Sequence, residues 1–403
     1  MSKQTKRIVL TLAAGLALPL AAGSFTASAE ENDGEKLTLT YEKPGVKLSN
    51  KNFEIEFGGM VKATASFDWG SPLHNLNSFS VYDIHGEEKG NGGRFGISGQ
   101  QTELELGMRL FKNTANEIGI QMHGHFMGDH YAFELEEAFA TFRGFKVGYA
   151  FGLFCDMETK PYTIDESGPN SFTHVHNGVI DYSHDFSNGI GVAIGAEMPM
   201  NSSTYGISTG EVSQRIPDIP AYVQYAWGED SHVRLSAIMR TLTYRDLAKG
   251  KNRSNIGWGI KLSGTTEILP RLRAGWQAAY GEGVSSYFQD FTHNELDMTP
   301  AAHVGKMKLV KSWGAFANLT YSFTDRLFAG AGYSFLRNYA DGSKNQYDWS
   351  DTYRNGQYVF ANVFYDITGQ VRWGLEYIYG QRKDMNRACF HDSRLQTMLQ
   401  LTF

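Results

Sequence analysis

The feature that most constrains this sequence is an alternation of apolar and polar side chains that recurs along most of its length. In the segment QVRWGLEYIYG, Val371, Trp373 and Leu375 share one parity, whereas Arg372 and Glu376 share the other. Successive side chains of a β-strand point to opposite faces, so each such segment predicts a strand with one apolar and one polar surface. Segments of this kind, each about ten residues long, predict about sixteen strands.

The connections between the predicted strands alternate in length. Tight connections such as 187–188 and 368–369 carry turn residues, whereas those at 70–92, 153–177 and 283–309 are long and polar. We place the strands at 53–69, 93–111, 116–127, 131–143, 145–152, 178–186, 189–198, 219–228, 231–245, 254–268, 271–282, 310–323, 326–338, 354–367, 370–381 and 392–403.

Short turns at one end and long loops at the other are typical of barrels in bacterial outer membranes. A sheet that spans a membrane must close, because lipid offers no partner to the backbone of an open edge. The last strand runs to Phe403, and a terminal Phe resembles the ending of such barrels. We therefore predict an all-β fold: a transmembrane antiparallel β-barrel of about 16 strands over residues 53–403, with long external loops and short periplasmic turns.

The second predicted strand changes parity within its length. Its apolar residues are odd-numbered at Phe95 and Ile97 but even-numbered at Leu104 and Leu106. One extra residue in a strand reverses the face to which all later side chains point. We therefore predict a β-bulge in the segment Gly99–Thr102.

The N-terminus has the organisation of a secretory signal peptide. Three basic residues precede an apolar run at 8–22, and Ala-Ser-Ala follows at 27–29. This pattern predicts a signal peptide over 1–29, with cleavage after Ala29, and a periplasmic segment over 30–52. The predicted location is the outer membrane of a Gram-negative bacterium.

Composition excludes several other classes of protein. The formal net charge of −6 gives no reason to expect a nucleic-acid partner. Mean hydropathy is −0.36, and no apolar run after residue 29 approaches the roughly 20 residues that a spanning helix needs. The two cysteines, Cys155 and Cys389, allow one disulfide bond or none.

The order of several short motifs over residues 93–198 resembles that of the DcaP-like porins. The motifs are Arg94-Phe95-Gly96 at a strand start, Val147-Gly148 before a loop that contains Asp156, and then Gly168-Pro169. The resemblance implies a homotrimeric barrel in outer-membrane lipid that passes small hydrophilic, often anionic, solutes by passive diffusion without a cofactor. This chain has Glu136 and Glu137 in a strand where that family carries a basic residue.

In a channel, the polar side chains that face the lumen set the selectivity. By analogy with general porins, the loop 153–177 folds into the barrel and narrows it. The predicted lumen and constriction residues are Lys62, Arg94, Arg109, Glu134, Glu136, Asp156, Glu158, Lys160, Asp165, Glu166, Arg234, Arg240, Lys261, Arg273 and Arg372. Two alternatives stay open: the charges pair across a wet lumen, or the loop is an ordinary external loop.

No catalytic, cofactor or metal residue is predicted. In HGHFMGDH, His123 and His125 share a strand face with Asp129 and His130 beyond, a spacing compatible with a transition metal, although a wet lumen also accommodates histidines without one. Two alternative functions are a barrel-embedded outer-membrane hydrolase, which needs a histidine base at membrane level, and a secreted soluble β-protein.

Overall fold

The structure is a computed structural model. It describes residues 25–30, 36–41, 45–70, 73, 75–86, 92–292, 294–340 and 348–403. Among these residues, no helix is both long enough and apolar enough to cross a membrane.

Sixteen antiparallel strands in the described part of the chain form one closed barrel, which confirms the predicted class. Each strand pairs with its neighbours along the chain. The strands are β1 Phe53–Asp68, β2 Arg94–Ser98 continued by Glu103–Leu110, β3 Ile118–Gly128, β4 Ala132–Phe142, β5 Phe145–Phe151, β6 His176–Asp185, β7 Ile190–Glu197, β8 Ile219–Trp227, β9 Ser231–Asp246, β10 Lys251–Leu269, β11 Leu272–Glu282, β12 Lys311–Ser322, β13 Leu327–Asn338, β14 Tyr353–Asp366, β15 Val371–Asp384 and β16 Cys389–Thr402.

Short elements lie outside these strands. A strand at Val46–Ser49 pairs with the start of β1 and with a strand at Lys36–Tyr41, which in turn pairs with Phe25–Glu30. The loops contain short strands and single 3₁₀ turns, which are Thr209–Gly210, Met298–Pro300, Met307–Leu309, Asp129–Tyr131, Met157–Thr159, Ser285–Tyr287 and Gln289–Phe291.

The barrel closes between its first and last strands. β16 pairs with β1 from the Arg394–Asp68 pair to the Thr402–Met60 pair. Phe403 continues this ladder, because its backbone N–H donates to the Gly59 carbonyl at 3.0 Å and its own carbonyl accepts from Gly59 N at 3.1 Å. The closure therefore satisfies the backbone of the terminal strand up to its last residue.

The bulge predicted in β2 is present. Phe95 and Ile97 lie opposite Phe67 and Ala65, whereas Leu106 lies opposite Phe57, so the outward parity of β2 has reversed. Residues 99–102 between the two halves make no ladder pairs with β1. The extra length keeps the apolar side chains of both halves on the outer surface.

The two surfaces of the barrel wall have opposite polarity. Ile180, Ile194 and Leu399 point outward and are each more than half exposed, whereas the inward-facing Ser263 and Gln277 are buried. A soluble sheet would bury its apolar face, so this inversion is typical of a barrel with an apolar band toward lipid.

The prediction of a long external loop at residues 382–391 is wrong. β15 continues to Asp384 and β16 starts at Cys389, so only a tight turn remains between them. Polar side chains on both faces hid this extension of the hairpin, because a sheet that rises into water no longer needs an apolar face. Cys389 is exposed, Cys155 is buried in another loop, and both are free thiols in the described structure.

An ion pair joins the two sides of the closing seam. Arg394 of β16 donates from Nε and Nη2 to both carboxylate oxygens of Asp68 of β1, at 2.6 and 3.0 Å, and both side chains are fully buried. Its guanidinium also donates to the backbone carbonyls of Asn75, Leu76 and Ser78.

We expect Arg394→Met to lower the free energy of unfolding by about 3–5 kcal/mol, because it leaves the Asp68 carboxylate buried without a counter-charge. The measurement is the denaturant midpoint of the barrel in detergent. The control is Arg271→Met, which breaks an exposed pair with Asp325 and should cost no more than about 1 kcal/mol. Equal losses in the two variants would contradict the expectation.

Candidate functional site

The predicted loop 153–177 occupies residues 152–175 in the structure, because β6 already begins at His176. This segment, here called the inner loop, runs along the inward face of the barrel wall. Gln277 of β11 accepts a hydrogen bond from Thr173 Oγ1 at 2.9 Å, and Asn318 of β12 donates to the Thr159 carbonyl at 3.2 Å. These contacts cover the inner surfaces of consecutive strands, so the loop occupies lumen space beside them.

Glu376 of β15 anchors the middle of the inner loop. Its carboxylate accepts hydrogen bonds from the backbone N–H groups of Ile164 and Asp165, at 3.1 and 3.0 Å. The side chains of Asn362 and Gln396 donate to the same carboxylate, each at 2.8 Å. A buried carboxylate with four donors fixes the loop backbone at this depth.

Asp156 anchors the start of the inner loop. Its carboxylate lies 3.0 Å from Nε2 of His232 and 3.3 Å from Nη1 of Arg234, and it accepts a hydrogen bond from Ser263. Burial alone would raise the pKa of Asp156, but His232 and Arg234 hold it below its ordinary value. The hydrogen bond from His232 likewise lowers the pKa of Glu158.

The buried imidazole of His232 belongs to the same contact between loop and wall. The ring nitrogens of His232 lie near two carboxylates, Asp156 at 3.0 Å and Glu158 at 3.1 Å. Ser263 donates to Asp156, and the Thr265 hydroxyl lies 3.2 Å from Nδ1 of the imidazole. The cluster therefore acts as a contact between the loop and the wall.

Two other loops, which include residues 75–86 and 283–292, also pack against the inward face of the wall. They were predicted as polar external loops, but their apolar residues pack inward in one cluster with the wall. Phe79 contacts Tyr358 of β14 at a ring-centroid distance of 6.0 Å, and Phe291 contacts Tyr353 of β14 at 5.1 Å. The aromatic residues within these otherwise polar loops were the sequence feature that could have indicated this inward packing.

Asp290 is buried within this apolar cluster and accepts a hydrogen bond from the Tyr353 hydroxyl at 3.1 Å. Burial raises the pKa of its carboxyl to about 8. Since the folded state then binds a proton that the unfolded state has lost, the stabilising contribution is complete below about pH 4 and is lost as the pH rises toward 8.

We expect Asp290→Asn to gain stability relative to the parent protein as the pH rises from about 5 to about 8, by at most about 1.4 kcal/mol per pH unit. The measurement is the denaturant midpoint across this range. Asp325→Asn, on an exposed turn, is the control and should follow the parent. A pH-independent difference between Asp290→Asn and the parent would refute the expectation.

The predicted wall cations have contacts of two kinds, since some pair with carboxylates and others contact backbone carbonyls. Arg240 donates to Asp218 at 2.9 Å and lies 3.2 Å from Asp297. Arg372 pairs with Asp366 at 2.6 Å. The remaining contacts of this set are Lys62 with the Ile164 carbonyl, Lys261 with the Phe154 carbonyl, Arg234 with Asp156, Arg94 with the Leu73 carbonyl and Arg273 with the Glu158 carbonyl.

The predicted residues near the openings have different surroundings. Arg109 is half exposed and pairs with Glu54 and Glu117. In the inner loop, the ammonium group of Lys160 donates to the Glu166 carbonyl at 2.8 Å and lies 3.8 Å from the Glu166 carboxylate. A cavity of about 570 Å³ lies between loop residues 157–166 and the inward side chains of β10–β12.

The inward faces of β2, β3, β4 and β6 carry a different set of charges, here called the glutamate–histidine wall. It consists of Glu103, Glu105, His123, His125, Glu134, Glu136, Glu137 and His176. Glu134 and Glu136 of this set are among the predicted lumen residues. Glu105 and Glu134 are exposed, and no ion pair holds them within the described residues.

A profile of a protein family described as the porin subfamily matches residues 56–399, and no curated protein sequence matches the chain. Among solved structures, the outer membrane channel DcaP of Acinetobacter baumannii is similar, with a TM-score of 0.75, 15% identity, and 88% of this chain and 99% of that chain covered.

Two other solved porins align less closely. The anion-selective porin from Comamonas acidovorans has a TM-score of 0.55 and 10% identity. The alignment covers 87% of this chain and 100% of that chain. OmpF of Salmonella typhi in complex with daunomycin has a TM-score of 0.55 and 11% identity. That alignment covers 89% of this chain and 100% of that chain. The chain therefore belongs to the porin subfamily, and it is an outer-membrane porin with a DcaP-like barrel.

Proposed function

We propose that this porin passes small hydrophilic solutes by passive diffusion and that the inner loop forms its constriction. The observation that carries the proposal is the anchoring of the loop at Asp156 and Glu376 to one side of the wall. The opposite side, the glutamate–histidine wall, then borders the passage. Selection would follow from the width and the charge of this gap, without a cofactor.

The charges along this gap favour cations over anions. Arg240 of β9, Arg372 of β15 and Arg394 of β16 have carboxylate partners, so their fields largely cancel. Glu105 and Glu134, in contrast, are exposed acids on the inner wall. We propose that they attract cations, in contrast to the anion preference that the family resemblance implied.

We also propose that the mature protein is a homotrimer in outer-membrane lipid, formed after removal of residues 1–29. Cleavage there would remove most of the strand Phe25–Glu30 but would leave the closing pair β1–β16 intact. The apolar outer surface of the wall supports the contact with lipid.

The experiment is planar-bilayer recording of the purified protein, with the reversal potential measured across a KCl gradient. We expect conductance steps in groups of three and a reversal potential of the sign that K⁺ selectivity gives. The opposite sign would reject the proposed role of the glutamates while keeping the porin. Folded protein without conductance would reject the open channel.

A further inference from the structure

We propose that Glu136, His174 and His176 bind a divalent transition-metal ion, such as Zn²⁺, at the wall of the lumen. One ligand atom from each residue lies within 4.8 Å of the others. This site goes beyond the proposed diffusion function, and it does not depend on the sign of the ion selectivity.

An irregularity in β4 gives the site its carboxylate. The register between β3 and β4 shifts between His123 and Gly124, so His123 lies opposite Glu137 while Gly124 lies opposite Leu135. Glu136 is the extra residue, and its carboxylate points inward, 3.1 Å from Nδ1 of His123. The bulge therefore places two consecutive glutamates on the lumen side, which a regular strand could not do.

The two imidazoles come from the junction between the inner loop and β6. His174 lies one residue before the end of the loop and His176 begins the strand. Their rings lie 5.1 Å apart at an angle of 89°. Phe151 packs against both rings, with centroid distances of 5.0 and 3.8 Å. Aromatic packing on this scale restricts ring rotation, so the ligand geometry is largely preformed.

His176 lacks the partner that a buried imidazole nitrogen needs. Its Nε2 is buried 3.5 Å from Oε1 of Glu136, but among the described residues it makes no hydrogen bond. Buried polar atoms are normally satisfied, so an orphaned nitrogen beside a carboxylate indicates a missing ligand.

Two imidazoles and one carboxylate match the preferences of Zn²⁺ and similar ions. Ligand atoms about 2.0–2.2 Å from a tetrahedral ion lie roughly 3.3–3.6 Å apart, so small side-chain rotations would complete the site. A fourth position would remain for water or a solute. His123 would act on Glu136 from outside the coordination sphere, because it contacts the other carboxylate oxygen.

This ligand set differs from the one that the sequence indicated. Asp129 and His130 of HGHFMGDH lie in an exposed turn after β3 and are not among the ligands of this cluster. His123 instead belongs to a second group of close ligand atoms, with Glu103 and Glu105. Since His123 also contacts Glu136, the two groups adjoin along the wall.

The test is calorimetric titration of the folded, chelator-treated porin in detergent with ZnCl₂ alone. We expect one saturable site whose affinity falls at least about tenfold in His176→Gln and in Glu136→Gln. The matched control is His184→Gln, on the same strand but of the outward parity of Tyr182, and it should bind as the parent does. Heat-dependent gel mobility would verify that each variant is folded.

A second readout is the current through the pore. Zn²⁺ should reduce the conductance of the parent and of His184→Gln, and a chelator should restore it. The proposal is overturned if the parent has no saturable site, or if both Glu136→Gln and His176→Gln retain the affinity of the parent. Either variant alone suffices for this decision if the other does not fold.

Discussion

Replacement of residues 157–166 by a short Gly-Ser linker is expected to raise the single-channel conductance by roughly twofold or more, because conduction depends on the width of the narrowest section. These residues line one side of the 570 Å³ cavity and fill lumen space against β10–β12. Water can replace the hydrogen bonds that Glu376 and Asn318 make to this segment, since both side chains already face the interior.

The control for this replacement is the same linker in place of residues 386–388, in the external turn between β15 and β16. That variant should keep the parent conductance, because the turn does not contact the inner loop. Folding of both variants is checked by gel mobility before recording. If the folded loop variant conducts like the parent, the inner loop does not limit the pore.

The double substitution Glu105→Lys and Glu134→Lys is expected to reverse the sign of the ion selectivity. Both side chains are exposed on the inward parity of β2 and β4, opposite inward residues of β3. Exchange of two acids for two cations changes the local charge by about four units along one wall, and a confined lumen focuses that field. The effect should be largest at low salt, because screening acts within about 10 Å at 0.1 M.

The matched control is Glu229→Lys with Asp325→Lys. These acids lie in the exposed turns after β8 and β12, so the net charge changes equally but outside the lumen. The reversal potential across a KCl gradient is the measurement, at two salt concentrations. If the turn variant shifts the potential as much as the wall variant, total charge rather than the wall determines selectivity.

The strands and their bulge could be predicted from the sequence because they depend on local patterns. The parity of Leu104 and Leu106 against Phe95 and Ile97 was enough to locate the irregularity in β2, since lipid-facing positions tolerate few polar side chains. The boundaries were less secure where the hairpin of β15 and β16 rises beyond the apolar band and loses its alternation.

The electrostatic character of the lumen could not be predicted in the same way. Parity placed Arg240 and Lys261 inside, but it could not show that Arg240 lies between Asp218 and Asp297, or that Lys261 is buried beneath the inner loop. These partners come from loops distant in sequence. A charged residue that borders the passage and one that a loop carboxylate neutralises occupy the same inward parity of their strands, so the alternation cannot distinguish them.

The sequence by itself determined the barrel, its closure and the outward surface, because each follows from a repeat of period two and from the need to satisfy backbone groups in lipid. Only the tertiary structure decided which inward residues border the passage. Long loops obey no repeat, and their positions depend on a few specific contacts, such as those of Glu376 with residues 164 and 165. The meeting of Glu136 with His174 and His176 likewise required a bulge, a strand start and a loop end to converge.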